Sequence, residues 1–345
     1  MTILAVESSC DDTCVAVVDE DGQVRSNVIS SQRAHDRFGG VVPEIAARHH
    51  LELIDVVVAR ALEEAGVDFD QVELVAATQG PGLIGALLVG LSAAKGIAAA
   101  RELPFAAVDH IQGHVAANFL KLGPAHPVLE PPFLCLIASG GHTLLAHVRE
   151  RHGFERIGTT LDDAAGEAFD KGARMLGLGY PGGPALERLA SGGDPEAFEF
   201  PASGSRSRGG RGATRDFAQS LDFSFSGLKT SLLYRTRELD KPERTDRAAD
   251  LAASYQSAIV DHLLLRCEQA LERTGLDRLA VGGGVAANGE LRRRLSALGA
   301  QVHVPPMELC TDNAAMIASA ARYAPRLAYP EYLGLDAYAT GERPL

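Results

Sequence analysis

The length and composition of the chain predict a globular protein of two domains. At 345 residues it is longer than one hydrophobic core usually serves. Its 46% apolar and 23% charged residues are ordinary proportions, which exclude disorder over most of the length. The formal charge of −12 excludes a protein that coats nucleic acid by charge alone, although a local basic patch or a basic partner stays open.

The cysteines and the N-terminus favour a cytoplasmic protein. The five cysteines form no closely spaced disulfide framework. The chain starts with a strand-like run and lacks the basic segment that opens a signal peptide. The longest apolar stretch, residues 82–100, contains Lys95 and four glycines, which favours a buried helix over a membrane span.

The first half of the chain opens with three predicted antiparallel strands. Alternating and β-branched runs place them in "ILAVESS", "CVAVVDEDG" and "QVRSNVISS". A long helix follows, with Pro43 suited to its first turn and Gly66 to its C-terminal stop. Next come a strand "LVAATQG", an apolar helix after "GPGLIG", a strand "FAAVDH" and a helix from about Gly113.

The second half repeats this order. Three strands are predicted in "FLCLIASGG", "HTLLAHVRE" and "FERIGTT", and the helix "DDAAGEAFDKGARMLG" would carry Asp163, Glu167, Asp170 and Arg174 in a row. More helical sequence extends through residues 251–274. The strand "RLAVGGG", the helix "NGELRRRLSALG", the strand "QVHVPP" and the helix "DNAAMIASAARY" complete the half.

The repeated order βββαβαβα predicts a duplicated α/β architecture with two lobes and an interdomain cleft. We expect the N-terminal lobe over residues 1–130 and the C-terminal lobe over residues 131–345. The last helix, at about residues 312–330, is expected to pack back on the first lobe.

Each half has a turn of small polar residues between its first two strands, "ESSCDDT" in one and "ASGGHT" in the other. Such turns expose N–H groups and hydroxyls that can bind phosphate oxygens, although one alone would more simply be a hairpin turn. Two at matching places favour a nucleotide site across the cleft. The consecutive glycines of "VGGGVAANGE" argue against a Rossmann motif, and no Walker A sequence is present.

His110 and His114 lie four residues apart, so a helix would place both side chains on one face. A zinc protease would need a glutamate directly after the first histidine as its general base, and Ile111 stands there. The spacing alone leaves metal binding less favoured than two polar residues on a helix. A metal site would need a third ligand from elsewhere in the chain.

Asp312 is one candidate for that third ligand, because it lies between a strand and a helix near the C-terminus. An N-cap is the commoner role of an aspartate at such a position. Cys310 and His303 are rival ligands that spacing does not exclude.

A stretch rich in Gly, Ser and Arg separates two helical regions of the second half. Its arginines form the densest basic patch of an acidic chain, at Arg206, Arg208, Arg211 and Arg215. A solvated linker is the simpler interpretation. A contact to a phosphate backbone is the alternative.

Ten motifs carry a resemblance to a known family. They are "ESSCDDT", "FGGVVPEIAARHH", "GPGLIGALLVG", "HIQGH", "ASGGHT", "DDAAGEAFDK", "YPGGP", "DFSFSGLKT", "GGGVAAN" and "CTDNAAMIA". Their order resembles that of the TsaD family of tRNA N6-adenosine threonylcarbamoyltransferases, formerly described as O-sialoglycoprotein endopeptidases. The resemblance covers about residues 2–335 and implies the actin/Hsp70/sugar-kinase (ASKHA) fold, in agreement with the duplication.

The resemblance also implies site residues. His110, His114 and Asp312 would hold one divalent metal per subunit, with Fe²⁺ the usual ion and Zn²⁺ a substitute. The candidates for the catalytic base are Asp12 and the substrate itself acting through water. Asp12 stands where Glu is common, and Glu187 stands where many members carry Asp. The residues implied to bind substrate are Ile137, Ala138, Ser139, Gly140, Gly141, His142, Asp170, Gly183, Glu187 and Asn288.

The implied reaction transfers the threonylcarbamoyl group of threonylcarbamoyl-AMP to N6 of adenosine 37 in tRNAs that read codons beginning with A. The products are t6A and AMP. Implied partners are tRNA, an inert paralogue subunit (TsaB-like) and a P-loop ATPase subunit (TsaE-like). The alternatives are a metal-dependent endopeptidase, disfavoured by the missing glutamate, and an ATP-dependent small-molecule kinase of the same fold.

Overall fold

The computed structural model describes residues 1–121, 128–201 and 220–340. The chain divides into two compact units. Unit 1 comprises Met1–Pro131, Glu150–Phe154 and Pro305–Leu345, and unit 2 comprises Pro132–Arg149 and Glu155–Val304. The predicted basic patch at about residues 203–213, with the arginines named above, lies outside the described residues.

Unit 1 is built on a five-stranded mixed sheet. The strands are β1 (Thr2–Glu7), β2 (Asp12–Asp19), β3 (Val24–Ser31), β4 (Leu74–Gly80) and β5 (Phe105–Asp109). Their spatial order is β3-β2-β1-β4-β5. The first three pair antiparallel, as their alternating sequences predict, whereas β4 and β5 are parallel to β1.

The first three helices of unit 1 begin and end close to the predicted residues. Helix α1 (Pro43–Ala65) starts at its proline and ends before Gly66, which adopts a left-handed φ of 63°. Helix α2 (Ile84–Ala100) follows β4, and α3 (His110–Ala116) begins directly after β5, three residues earlier than expected. No helix in the described part of the chain is both long and apolar enough to cross a membrane.

Unit 2 repeats the sheet of unit 1. Its strands are β6 (Phe133–Ala138), β7 (Thr143–Val148), β8 (Glu155–Thr159), β9 (Arg278–Gly282) and β10 (Gln301–His303). Counted from β8, the order β8-β7-β6-β9-β10 matches that of the first sheet, again with three antiparallel strands and two parallel ones. The predicted duplicated α/β architecture is confirmed.

The first helix of unit 2 begins later than predicted. Asp163 lies before its predicted helix, because the helix begins at Ala165. The carboxylate of Asp163 instead pairs with Lys171 at 2.8 Å and with Lys229 at 2.7 Å. The helices are α4 (Ala165–Met175), α5 (Gly182–Ala190), α6 (Ser226–Glu238), α7 (Lys241–Asp246), α8 (Ala248–Thr274) and α9 (Gly289–Leu295).

The chain then contributes a last helix and a tail to unit 1. Helix α10 (Ala314–Ala321) is buried at every position and packs on α3, β1 and β2. It is much shorter than the predicted helix over residues 312–330, since Pro325 cannot continue a helix. Residues 322–340, here called the C-terminal segment, contain a 3-10 turn over Glu331–Gly334.

Candidate metal centre

Helix α3 carries both histidines of the predicted pair into the interior of unit 1. All seven residues of the helix are buried. A Cβ on Gly113 would lie 2.7 Å from Cδ1 of Ile317, so α3 and α10 approach each other more closely than a side chain there would allow. This packing places the residues before α10 beside the two imidazoles.

Asp312 completes a cluster with the two histidines. Its Oδ1 lies 3.5 Å from Nε2 of His110 and 3.2 Å from Nε2 of His114. The N-cap role considered for Asp312 is wrong, because Asn313 accepts the hydrogen bond from the N–H of Met316 at the start of α10. The carboxylate of Asp312 is therefore available to a ligand.

The geometry of this cluster fits a metal ion. With bonds of 2.0–2.2 Å, neighbouring ligand atoms around a metal lie roughly 3–3.6 Å apart, which both measured distances match. Among the described residues, neither ring nitrogen of fully buried His114 has a hydrogen-bond partner, despite the nearness of Asp312. Buried polar atoms are rarely left in this state. The side chain of Asp312 keeps 25% of its surface exposed, so the site is open on that side.

The rival ligands do not belong to the cluster. Sγ of Cys310 lies within hydrogen-bond range of the carbonyl oxygens of Pro305 and Pro306. His303 belongs to β10 of unit 2. Within the described residues, the cluster of potential metal ligands consists of His110, His114 and Asp312, whose ligand atoms all lie within 4.8 Å of one another.

A buried carboxylate contacts Nδ1 of His110, the ring nitrogen on the side away from Asp312. Nδ1 of His110 lies 2.9 Å from Oε2 of Glu7, the last residue of β1, and 3.2 Å from Oγ of Ser9. Glu7 is itself held, since it accepts hydrogen bonds from the hydroxyl of Thr78 and the N–H of Ser9. When Nδ1 carries the proton donated to Glu7, the lone pair of His110 is on Nε2, the nitrogen that would bind a metal.

This role of Glu7 is not predicted by the sequence patterns described above. The residue appeared only as the first letter of the motif "ESSCDDT". A glutamate that ends an otherwise apolar buried strand is the one signal that could have indicated it, because carboxylates are rarely buried without a partner.

The electrostatics of the cluster favour positive charge at its centre. Burial alone would raise the pKa of Glu7, but the neighbouring His110 outweighs it and holds that pKa below its ordinary value. Burial opposes the charged form of His110, yet Glu7 and Asp312 raise its pKa well above the ordinary value. For Asp312 the two histidines overcome burial and hold its pKa well below the usual range.

Asp12 is the first residue of β2 and ends the turn between β1 and β2, which lies in the motif "ESSCDDT". Burial, reinforced by neighbouring acidic groups such as Asp312, raises the pKa of Asp12 to about 7. His50 of α1 fixes this turn, because its Nδ1 lies 2.8 Å from Oγ1 of Thr13 and its Nε2 lies 3.0 Å from the carbonyl oxygen of Cys10.

The predicted substrate loop of unit 2 joins β6 to β7. The N–H of Ser139 donates to the carbonyl of His142, and the N–H of His142 donates to Oγ of Ser139. Open space surrounds the exposed Gly140 and Gly141 at the tip. The side chains of Ile137 and Ala138 are buried in β6, so only their backbone could contact a substrate.

The start of α4 and the turn after β9 pack against this loop. Gly283, with a φ of +86°, approaches so closely that a Cβ there would lie 2.4 Å from the carbonyl oxygen of Ala138. A Cβ on Gly166 would lie 2.6 Å from the carbonyl oxygen of Ser139. The loop, the start of α4 and the turn after β9 therefore form one continuous region.

The remaining residues of the implied substrate site bind the N-terminal ends of helices. Oδ1 of Asp170 accepts the N–H of Gly182 at 2.8 Å, and burial raises the pKa of Asp170. Oε1 of Glu187 accepts the N–H of Gly289 at 2.7 Å. Asn288 caps α9 and also donates to Gln256. Gly183 lies in the first turn of α5, beside the Gly182–Asp170 contact.

A family model matches residues 23–319 of the chain. Its description is TsaD: tRNA N6-adenosine threonylcarbamoyltransferase. The matched range contains the three residues of the metal cluster and the whole loop between β6 and β7.

Curated relatives match over nearly the full chain. A tRNA N6-adenosine threonylcarbamoyltransferase of Clostridium beijerinckii is 49% identical over 326 residues, which cover 93% of this chain and 92% of the relative. The enzyme of the same name from Clostridium perfringens strain SM101 is 48% identical over the same shares of the two chains.

Solved structures share the fold at low sequence identity. HypF of T. kodakarensis matches with a TM-score of 0.59 and 15% identity, over 93% of this chain and 48% of HypF. Component A of the (R)-2-hydroxyglutaryl-CoA dehydratase of Acidaminococcus fermentans matches with a TM-score of 0.53 and 16% identity, over 94% and 97% of the two chains. These similarities concern the fold alone.

Proposed function

The chain belongs to the TsaD family of tRNA N6-adenosine threonylcarbamoyltransferases, and from this we propose how its residues serve the reaction. It is a transferase. The proposed reaction moves the threonylcarbamoyl group of threonylcarbamoyl-AMP to N6 of adenosine 37 in tRNAs that read codons beginning with A. The observation that carries the proposal is the cluster of His110, His114 and Asp312, with both nitrogens of a buried histidine unbonded.

The reaction is an acyl transfer. N6 of the adenosine attacks the carbonyl carbon of the carbamoyl group, the new C–N bond forms, and the bond from that carbon to the phosphate oxygen of AMP breaks. The amine loses one proton to a base. An exocyclic adenine amine is a weak nucleophile, so correct positioning of the two reactants contributes more than strong basicity.

His110, His114 and Asp312 would hold one divalent cation. Two imidazoles and a carboxylate suit Fe²⁺, our proposed ion, and also Zn²⁺. Such an ion polarises a carbonyl and neutralises phosphate charge. Glu7 would fix the tautomer of His110, so that Nε2 faces the ion.

Asp12 is our candidate for the base. A carboxyl group with a pKa of about 7 is partly ionised at neutral pH and can still accept a proton. Its place in the turn that also supplies Ser9, a neighbour of Nδ1 of His110, supports this role.

The residues of unit 2 would hold the adenylate part of the donor. The exposed tip of the loop, Gly140 and Gly141, offers backbone N–H groups to phosphate oxygens, as turns of this kind do elsewhere. Ser139 and His142 hold the shape of the loop through their mutual hydrogen bonds. We assign Ile137, Ala138, Asp170, Gly183, Glu187 and Asn288 to the same substrate.

The chain would act with partners in the cytoplasm, where tRNA is found. A formal charge of −12 disfavours tight tRNA binding by this subunit alone. Large apolar side chains are exposed on α1 and α2, at Leu51, Val56, Ile84 and Leu88. Such side chains support the contact with an inert paralogue (TsaB-like), and the P-loop ATPase (TsaE-like) completes the proposed assembly.

The test combines metal content with transfer activity. His110→Ala should lose stoichiometric metal and the transfer of labelled threonylcarbamoyl from threonylcarbamoyl-AMP to unmodified tRNA. His152→Ala, which removes an exposed histidine of unit 1, serves as the matched control and should keep both. If His110→Ala kept full metal and full activity, the proposal would be wrong.

A further inference from the structure

The C-terminal segment is held along unit 1 by hydrogen bonds from one strand and one helix. Leu327 exchanges both backbone hydrogen bonds with Phe105 of β5, at 2.8 and 2.9 Å. Further on, Nζ of Lys95 in α2 donates to the carbonyl oxygens of Leu333 and Leu335. The segment therefore follows a defined path after α10 ends.

This path leads the chain to the end of β4. The side chain of Gln79 donates to the carbonyl oxygen of Asp336 at 2.8 Å, and the N–H of Tyr338 donates to the carbonyl of Gln79. A Cβ on Gly80 would lie 2.3 Å from the carbonyl oxygen of Tyr338. Tyr338 is thus held closely against the strand, with its ring buried.

The hydroxyl of Tyr338 reaches the residue that begins the metal-ligand helix. It lies 2.6 Å from Oδ2 of Asp109 and 2.9 Å from the carbonyl oxygen of Gly80. Its single proton is donated to the carboxylate, because a bond to a charged acceptor is the stronger one. The other oxygen of Asp109 accepts the N–H of Gln112 and caps α3.

Both oxygens of Asp109 are thus engaged, one by α3 and one by the end of the chain. His110 is the next residue along the backbone. Any rotation of the Asp109 carboxylate would release the cap and let the first turn of α3, and with it the imidazole of His110, move. The hydroxyl of Tyr338 opposes that rotation.

We propose that Tyr338 is a positioning residue for the metal centre, which it orients through Asp109 and the start of α3. The inference rests on the proposed function, since it assumes that His110 is a metal ligand. It adds a residue more than 220 positions away in the sequence, beyond the range that the family model matches.

Tyr338→Phe tests this role, because it keeps the ring and removes only the hydroxyl. Affinity for Zn²⁺ would be measured by chelator competition on the folded full-length variant, and Co²⁺ in the same site would report its coordination by visible absorption. Tyr338 does not contact a metal ligand itself, because its hydroxyl binds Asp109, which in turn holds the helix that carries His110. We therefore expect a loss of about 3- to 10-fold in affinity, below the usual range for direct partners, and an altered Co²⁺ spectrum.

Tyr332→Phe is the matched control. Tyr332 belongs to the same segment and is fully buried, and its hydroxyl has no hydrogen-bond partner among the described residues. Its loss should leave both the Zn²⁺ affinity and the Co²⁺ spectrum unchanged. A purely structural effect of altering a buried tyrosine in the segment would appear in both variants.

A double-mutant cycle with Asp109→Ala completes the test, because alanine removes both carboxylate oxygens and with them the contact to the Tyr338 hydroxyl. The proposal predicts that Tyr338→Phe causes little further loss in that background. Unchanged affinity in Tyr338→Phe, or fully additive losses in the cycle, would overturn the inference while leaving the metal site intact. Retention of metal by His110→Ala would instead overturn the proposed function itself.

Discussion

Two buried histidines, His114 of unit 1 and His262 of unit 2, show opposite ways of placing an imidazole in a protein interior. Nε2 of His262 accepts the N–H of Ser224, and the ring packs against Phe223 and Phe225. The nitrogens of His114 have no hydrogen-bond partner in the described part of the chain, and a carboxylate lies 3.2 Å away. Burial alone therefore does not distinguish a core histidine from a candidate ligand. The bonding of its nitrogens does.

The same contrast separates the two candidate sites as a whole. In the metal cluster, neither ring nitrogen of His114 has a hydrogen-bond partner among the described residues. In the substrate region of unit 2, Asp170, Glu187 and Asn288 already bind backbone N–H groups at the starts of helices. A cation can bind His114 without displacing a hydrogen bond of that side chain within the described residues, whereas a substrate that uses these three side chains must share or exchange bonds with the helices.

The largest effect we expect concerns the satisfied histidine. Burial lowers the pKa of His262 to about 4, below the ordinary value near 6.5. The unfolded chain therefore takes up a proton between these pH values and the folded chain does not. The contribution of His262 to the free energy of unfolding is fully present above about pH 6.5. The free energy of unfolding then falls by about 3 kcal/mol as the pH drops to about 4.

Chemical denaturation across that pH range would measure this loss. His262→Gln, which can still accept the N–H of Ser224, should remove most of the pH dependence. The same slope in both proteins would show that His262 titrates normally, and the contrast with His114 would then lose its basis.

The second prediction concerns the support of the metal ligands. Glu7→Gln removes the charge that faces Nδ1 of His110 while preserving the shape of the side chain. We expect metal affinity to fall by about 10- to 100-fold, as is typical when the outer partner of a ligating histidine changes. Chelator competition would measure it, with the exposed Glu63→Gln as control. Equal affinities would mean that Glu7 is only a core residue.

The smallest effect belongs to unit 2. Asp170→Ala removes the acceptor for the N–H of Gly182 at the start of α5, so we expect a loss of about 1 kcal/mol in the free energy of unfolding. Asp170→Asn keeps an acceptor oxygen and should recover most of it. Metal affinity should be unchanged in both variants. A weakened metal site in Asp170→Ala would show that this carboxylate also supports the metal ligands.

Local patterns predicted the elements of this fold well. Pro43 and Gly66 bound α1 as expected, because first-turn prolines and left-handed glycines act through the backbone of their own neighbours. The repeated βββαβαβα order gave two sheets of matching strand order. Asp163 was predicted inside a helix but lies before it. Its lysine partners belong to α4 and α6, and the residues next to Asp163 in the sequence do not indicate these ion pairs.

The site was predictable only in part. The spacing of His110 and His114 indicated one face of a helix. Position in the chain offered Asp312 only beside the rivals Cys310 and His303, and the family resemblance selected it; its competing N-cap role was wrong by one residue. Glu7 and Tyr338 meet the first turn of α3 across more than 100 and more than 200 positions of sequence. Contacts at such separations depend on how strands are ordered in the sheet, which no local pattern encodes.

The division of the chain also has a consequence for biosynthesis. Unit 2 is inserted into the sequence of unit 1, whose final piece begins only at Pro305. Helix α10 completes the packing around β1, β2 and α3, and Asp312 precedes it. A ribosome adding 5–20 residues per second takes roughly 10–40 s to travel the roughly 200 residues from His114 to Asp312. During that interval the nascent chain holds two of the three ligands, so the complete metal site is a product of the last stage of translation.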